Sequence, residues 1–389
     1  MTTSPTIVGT FRAGERLVGY TDRWIAWIAI DGQDVPLDEV IADVTIRTGR
    51  DSVSGSPQPS SCVLALHPVD RDFSRGFTVG VQLQIVAYGL GSVFRGTLTD
   101  AELDDDQLRV VATGTLAAAN RVELDVTGWP AETWSARATR LLDQAGWWYT
   151  VESDPGFDPV LEPPSNLDSG LITFDTYAQS LVAAVGAAMF DTGDGHIVLQ
   201  AIGSRASRPH TVWELDPANV LFSPAWLQSL EVANIVGVQW GTDDATQMDV
   251  QTDQASIDLY GRLTAEIQST RIRSLADAQQ RGRLALARGA YPRWGMRELE
   301  LLQPLLSLRV GDRVRLTELP DASPSSVWEP VVEGWTHTIS GPEWRQTLAL
   351  SDPVASGLAV TWQTVPAVAW QDVPPLEWRD ADEAGDFQP

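Results

Sequence analysis

The sequence predicts a mainly β protein with α+β insertions, in which two similar small antiparallel β-barrel domains flank a helix-containing middle region. Three observations carry that prediction. Short segments with period-two alternation dominate the chain, three segments with helical spacing interrupt them, and two β-rich blocks share one order of motifs.

The elements follow in chain order. Val44 and Ile46 alternate with Thr45 and Arg47, and Val81, Leu83 and Ile85 alternate with Gln82 and Gln84. Each stretch reads as a half-buried strand with one wet face. Trp134, Ala138, Leu141, Leu142 and Ala145 then fall on one helical face, and Gly146 supplies the stop. Pro and Gly make Asp154–Asp168 a linker. Tyr177, Leu181, Ala184, Val185 and Ala188 form a second helical face, with Asp175 or Thr176 as N-cap. Asp194-Gly195 turns the chain into a strand at His196–Gln200, and Ser204–Pro209 reads as another linker. A third helix starts at Ser274 with Asp277 in a capping-box-like position. Leu275, Ala278, Gly282, Ala285 and Leu286 line its buried side before Gly289 and Pro292 end it. Val314 and Leu316 alternate with Arg313 and Arg315, and Asp321–Ser326 interrupts a hairpin.

The implied domains are a first β-barrel over 1–118, which strands from about 207–240 could complete, and an α+β middle domain over 119–203. A second β-barrel covers 204–351 with its helix at about 274–289, and an extended arm covers 352–389.

The two β-rich blocks resemble each other. In the first, Leu64-Ala65-Leu66-His67-Pro68 precedes Phe77-Thr78-Val79-Gly80, a strand, a loop and Val93-Phe94-Arg95-Gly96. In the second, Leu299-Glu300-Leu301-Leu302-Gln303-Pro304 precedes Leu308-Arg309-Val310-Gly311, a strand, a loop and Val331-Val332-Glu333-Gly334. Each closes on a further strand, Gln107–Ala112 and Gln346–Ser351. Two copies of one barrel per chain would let a ring of three subunits sit on a ring of six.

The arm carries a different repeat. Trp362, Trp370 and Trp378 recur at an even spacing, so in an extended chain they point the same way, and Pro366 and Pro374 forbid a continuous helix. Such a strip either anchors a neighbouring subunit or folds back into grooves of its own barrel.

Composition narrows the function. The formal net charge is -25 and all cationic side chains are Arg, so nonspecific adhesion to nucleic-acid phosphate is disfavoured. Cys62 is the single cysteine, which excludes an intrachain disulfide and a Cys-based zinc site. No signal peptide and no apolar run long enough to span a bilayer is expected, Leu181–Met189 being too short. His67, His196, His210 and His337 lie in separate strands or loops without ligand spacing, and no nucleophile elbow, P-loop or metalloprotease motif occurs. Asp191-Thr192-Gly193-Asp194-Gly195 reads as a hairpin turn, since the late bidentate Glu of a calcium loop is missing. No catalytic residue, cofactor or metal site is assigned, and the chain is expected not to be an enzyme. One basic stretch stands out: Arg271, Arg273, Arg281, Arg283, Arg288, Arg293 and Arg297. It reads either as a trimer interface of Arg–carboxylate contacts, which salt would loosen, or as a solvated helix face.

Four stretches, in this order, resemble the tail-hub or minor tail proteins of long-tailed bacteriophages, which are similar to baseplate hubs and to the N-terminal hub region of tail-associated lysins. They are Val44–Arg50 running into Pro57–Leu64; Val79-Gly80 through Phe94–Leu98; the Leu181 helix with the Phe190–Leu199 hairpin; and Ser274–Ala278 through Leu308–Asp312 to Trp344–Leu348. The resemblance implies a structural protein of the virion tail tip, assembled in the host cytoplasm as a homotrimeric ring lining the DNA channel. Implied partners are the distal tail or tail tube protein, the tape measure protein and tip or receptor-binding proteins, with DNA passing without specific binding. No appended hydrolase or fibre domain is visible. The competing readings are a receptor- or carbohydrate-binding tip protein, which the 16 tryptophans suit, and a tail-associated cell-wall hydrolase.

Overall fold

The computed structural model describes residues 25–353, except 31–32, 36–40, 52–56, 67–78, 88–90, 105–106, 165–170, 208–211, 223–225, 229–231, 243–244, 297, 318, 320–326 and 341–342. Trp362, Trp370 and Trp378 lie outside the described residues.

The first β-rich unit contains β1 (Ile25–Ile30), β2 (Gln33–Val35), β3 (Ile41–Gly49), β4 (Ser61–Leu66), β5 (Gln82–Ala87), β6 (Gly91–Asp104) and β7 (Gln107–Gly114). A short helix α1 (Thr115–Ala119) leads into the middle region. There β8 (Glu123–Asp125), β9 (Glu132–Thr133), α2 (Trp134–Ala145), β10 (Tyr149–Glu152), β11 (Val160–Leu161), β12 (Leu171–Thr173), α3 (Phe174–Val185), β13 (Ala188–Asp191) and β14 (Ile197–Gln200) follow. After α4 (Ser204–Ser207) come β15 (Val212–Glu214), β16 (Val220–Phe222), β17 (Trp226–Gln228), β18 (Ile235–Trp240), β19 (Gln247–Thr252), α5 (Gln254–Tyr260), β20 (Thr264–Ile272) and α6 (Leu275–Gly289). The second β-rich unit is completed by β21 (Arg293–Gly295), β22 (Glu298–Leu301), β23 (Arg313–Thr317), β24 (Val327–Trp328), β25 (Val331–Ser340) and β26 (Glu343–Ser351).

The two units have one topology. In the first, the strand order is β3-β4-β7-β6-β5, and in the second β16-β22-β26-β25-β23, every neighbouring pair antiparallel. Gly80 and Gly311 fix the equivalence. Both have φ near +95° (96 and 94), the left-handed region open to glycine. Gly80 donates its amide to Leu98 and Gly311 donates to Val332, at 2.9 and 2.8 Å. Leu98 N–H then returns to Val81, and Val332 N–H to Asp312. Leu64 thereby matches Leu299, as the sequence motifs align them, and both side chains are fully buried.

The quartet alignment does not survive. Register sets Leu98 against Val332, so Gly96 and Gly334 are not equivalent, and the two closing strands are offset by one residue from their sequence alignment. A β-bulge falls at matching places, Thr99 in β6 and Glu333 in β25. Strands between about 207 and 240 do not go to the first unit: β15 pairs β23, β16 pairs β22, and β18 joins a separate sheet.

No closed barrel forms among the described residues. The units instead join edge to edge through β25 and β3, making one fourteen-stranded sheet. Each unit keeps its own apolar core, with Leu64, Leu83 and Val110 in one and Leu299, Val314 and Leu348 in the other. Cys62 belongs to the first core and is fully buried, which pushes its thiol pKa up and leaves it inert.

The middle region has a third core between α2, α3 and two small sheets, β10-β14-β13 and β19-β18-β20-β11-β9. The N-cap of α3 is Thr173, two or three residues earlier than expected. Thr173 is the last residue of β12, whose pairing with β8 fixes where the helix begins. Helix α6 starts as read, with Ser274 accepting from the Asp277 amide at 3.1 Å and donating its hydroxyl to the Asp277 carboxylate at 2.8 Å. Leu275, however, is 43% exposed; Arg281 takes a buried place on that face instead.

Candidate functional site: the junction of the two sheet units

Seven residue pairs, from Gly334↔Gly49 to Ser340↔Asp43, make the β25·β3 seam. Val44 and Ile46 on β3 point into the first core, and Ile339 and Trp344 from the second unit pack there with them. The seam is therefore apolar on one face as well as hydrogen-bonded along its length.

At one end of the seam lies a buried ionic cluster. The bulge in β25 lets Val331–Gly334 all be buried and turns Glu333 inward. Arg205 grips the Glu333 carboxylate with a bidentate fork, at 2.7 Å to one oxygen and 3.0 Å to the other. Arg50 Nη2 donates to the second oxygen at 2.6 Å, and the Ser351 hydroxyl donates to the first at 2.6 Å. Arg205 Nε continues to Gln200 at 2.7 Å, and Gln200 to Glu152 at 2.6 Å. Burial pushes the Glu333 carboxyl up, but Arg205 and Arg50 overcome it and hold the group well below the usual carboxylate range. Arg50 directly follows β3 of the first unit, Arg205 comes from α4 and Glu333 from the second unit. One carboxylate thus fastens three parts of the chain.

A second buried carboxylate performs a similar task nearby. Asp191 accepts the Ser60 amide at 2.5 Å and the Leu116 amide at 2.9 Å, tying β13 to the first unit and to α1. Burial pushes its pKa up against those bonds. The loop that follows is a hairpin turn, with Gly195 N–H donating to Thr192 at 2.9 Å, and no group of metal-ligating side chains occurs among the described residues.

The arginines of the expected basic interface run from β20 through α6 and past it, in different surroundings. Arg281 is buried, donates Nε to the Ala183 carbonyl at 3.0 Å, and lies with Arg288 against the C-terminal end of α3. Burial and the Arg288 charge push the Arg281 pKa down to about 9. Arg271, with φ of 53°, stacks its guanidinium 5.6 Å from the Tyr177 ring centroid. Arg273 pairs with Glu162 at 3.5 Å, and Arg283 is exposed. The side chains of Arg293 and Arg297 are outside the described residues.

One groove among the described residues has its carboxylates engaged in structural contacts. It runs between α2 and β10, encloses about 780 Å³, and is lined by Trp129, Glu132, Arg140, Asp143 and Val151 among others. Its carboxylates are engaged structurally: Glu132 by Arg137 at 2.6 Å and Arg140 at 2.8 Å, Asp143 by the Tyr149 hydroxyl at 2.5 Å. His337 is buried in the seam and accepts a hydrogen bond from Trp344 Nε1 at 3.1 Å, while His196 touches the Thr150 hydroxyl. His67 and His210 lie outside the described residues.

Sequence reading missed Arg50, Arg205 and Glu333. Arg205 sits in Ser204–Pro209, where short polar residues resemble a linker, and Glu333 was part of a motif aligned out of register. The only available signal was a lone Glu in an apolar run, Val331-Val332-Glu333-Gly334.

No protein-family model matches the chain, and no curated protein matches it in sequence. Solved structures do match in fold. The prophage MuSo2 43 kDa tail protein from Shewanella oneidensis is 13% identical with a TM-score of 0.58, covering 86% of this chain and 98% of its own. The tail protein from Neisseria meningitidis MC58 is 13% identical with a TM-score of 0.57, covering 85% and 97%. Prophage tail protein gp18 from Listeria monocytogenes EGD-e is 11% identical with a TM-score of 0.52, covering 83% and 94%. The chain shares the fold of these proteins over nearly their whole length.

Proposed function

We propose that this chain is a structural hub at the tail tip of a long-tailed bacteriophage, joining the tail tube or distal tail ring to the tip apparatus and leaving an acidic passage for DNA. The observation that carries the reading is the repeated unit joined edge to edge. The β25·β3 seam is a head-to-tail contact between two like units, and such a contact can be repeated between copies until a ring closes. The matching surfaces are at hand. On β6, Asp100–Asp104 correspond to the seam half of β25, and no strand covers that edge among the described residues. On the second unit, β16 corresponds to β3 and likewise ends the sheet. Three copies would then present six like units in a ring. The fold shared with three tail proteins, two of them from prophages, supports this setting.

The reading assigns assembly rather than bond chemistry, with the two β-units as ring-forming domains, the α+β region between them, and 352–389 as an arm toward neighbours. Partners would be further copies, a tube or distal tail ring, the tape measure protein and tip proteins, in the virion. Native mass spectrometry of the purified full chain tests it. A mass three times the chain's 42.4 kDa is expected. A stable monomer at micromolar concentration counts against the hub, and lysis of purified host cell wall would replace it with an enzyme.

A further inference from the structure

Among the described residues, β19 is an edge strand with one face packed against α6 at Gln251 and the other face open. It pairs with β18 on one side only. Six residues long, it exposes Met248 at 45% and Val250 at 55%, and carries no proline. Natural sheet edges are blunted by charge, proline or a bulge, and an edge lacking these guards is a template for another strand. The single charge on β19, Asp249, is half-buried and accepts from Gln251 at 2.6 Å, so it does not defend the exposed face. Gly237 lies across from Val250, and a Cβ there would come within 3.1 Å of the Met248 sulfur; its absence leaves a shallow trough beside that sulfur. Among the other open edges, β2 and β16 have three residues each, β10 has four, and the free half of β6 carries Asp100, Glu102 and Asp104.

The same chain contains a matching strand. From Ala359 to Gln371 the sequence carries no charge within a protein of net charge -25. It can therefore approach a surface bearing Asp249, Asp253 and Glu266 without like-charge repulsion. Val360, Trp362 and Thr364 alternate on one side of an extended backbone, as a strand beside Met248 and Val250 requires. An indole beside the Met248 sulfur is a favourable contact. Pro366 then forbids growth of the sheet past the added strand. The hub reading, in which copies stand side by side, makes a neighbouring copy the source of the strand.

We infer that residues 359–365 of one copy add as a strand to β19 of a neighbouring copy, seating Trp362 against Met248 and Val250. This rests on the hub reading and names the receptor surface for its arm. Full-length Val250→Cys and Trp362→Cys proteins test it, Cys62 being buried and silent. Mixed under mild oxidation, they should give a covalent dimer at least ten-fold above a control mixture in which exposed Arg109→Cys replaces Val250→Cys. A ring that assembles without this adduct overturns the docking and leaves the hub standing. An adduct formed only within one chain, in the double Val250→Cys/Trp362→Cys protein, also overturns it. A protein that stays monomeric without any adduct counts against both.

Discussion

Glu333 has no counterpart in the first unit, where Thr99 occupies the matching bulge. Removing its charge leaves two buried guanidinium groups uncompensated, so Glu333→Gln should cost about 3–5 kcal/mol by chemical denaturation. A loss below about 1 kcal/mol would show that water reaches the cluster. His337 gives the protein an acid-sensitive residue in the seam. Burial lowers its pKa to about 3, while the unfolded value stays near 6.5. Between those values the unfolded chain binds the extra proton, so this residue's contribution to stability falls as pH drops from about 6.5 toward 3, by at most about 1.4 kcal/mol per unit. Glu333, whose pKa is depressed, acts in the same direction: its contribution is full above the ordinary carboxylate value and is lost as pH falls through the folded one. His337→Gln should flatten the melting temperature against pH between 4 and 6.5 relative to the native chain. An unchanged slope would assign the acid sensitivity elsewhere.

At the scale of elements, the Gly turns and the helix caps set where strands and helices begin. Gly80 and Gly311 serve the same turn in the two units, so Gly80→Ala and Gly311→Ala should each cost about 1–2 kcal/mol. Widely different losses in equilibrium unfolding would mean the turns are not equivalent. Ser274→Ala should remove about 1 kcal/mol by deleting the α6 cap, read as a drop in melting temperature. Both features were legible in the sequence because they are local: a Val-Gly pair before an alternating strand, and a Ser three residues before an Asp. The N-cap of α3 was misread because Asp175 and Thr176 are equally good capping residues, and only the β12·β8 pairing selects Thr173.

For the whole molecule, charge bears on the proposed assembly of copies. Each carries a net charge of -25, and three of the arginines expected at an interface are engaged within the chain. Raising salt from about 20 to 200 mM shortens the screening length from roughly 20 Å to under 10 Å, so the proposed oligomer should hold or tighten. Light scattering across that range checks it. Dissociation by salt would restore Arg–carboxylate contacts, with exposed Arg283 as the first residue to reverse.

Alternation, capping and composition by themselves determined the strands, the three main helices, the duplicated order of motifs and the absence of a recognisable catalytic motif, because each depends on residues near in sequence. Only the tertiary structure decided that the units fuse through β25 and β3, that Ser204–Ser207 is a helix delivering Arg205, and that Arg281 turns inward. Those outcomes bring together residues as far apart as Arg50 and Glu333. Pairing at that distance is set by register and burial, which a one-residue shift inverts and which no local pattern encodes.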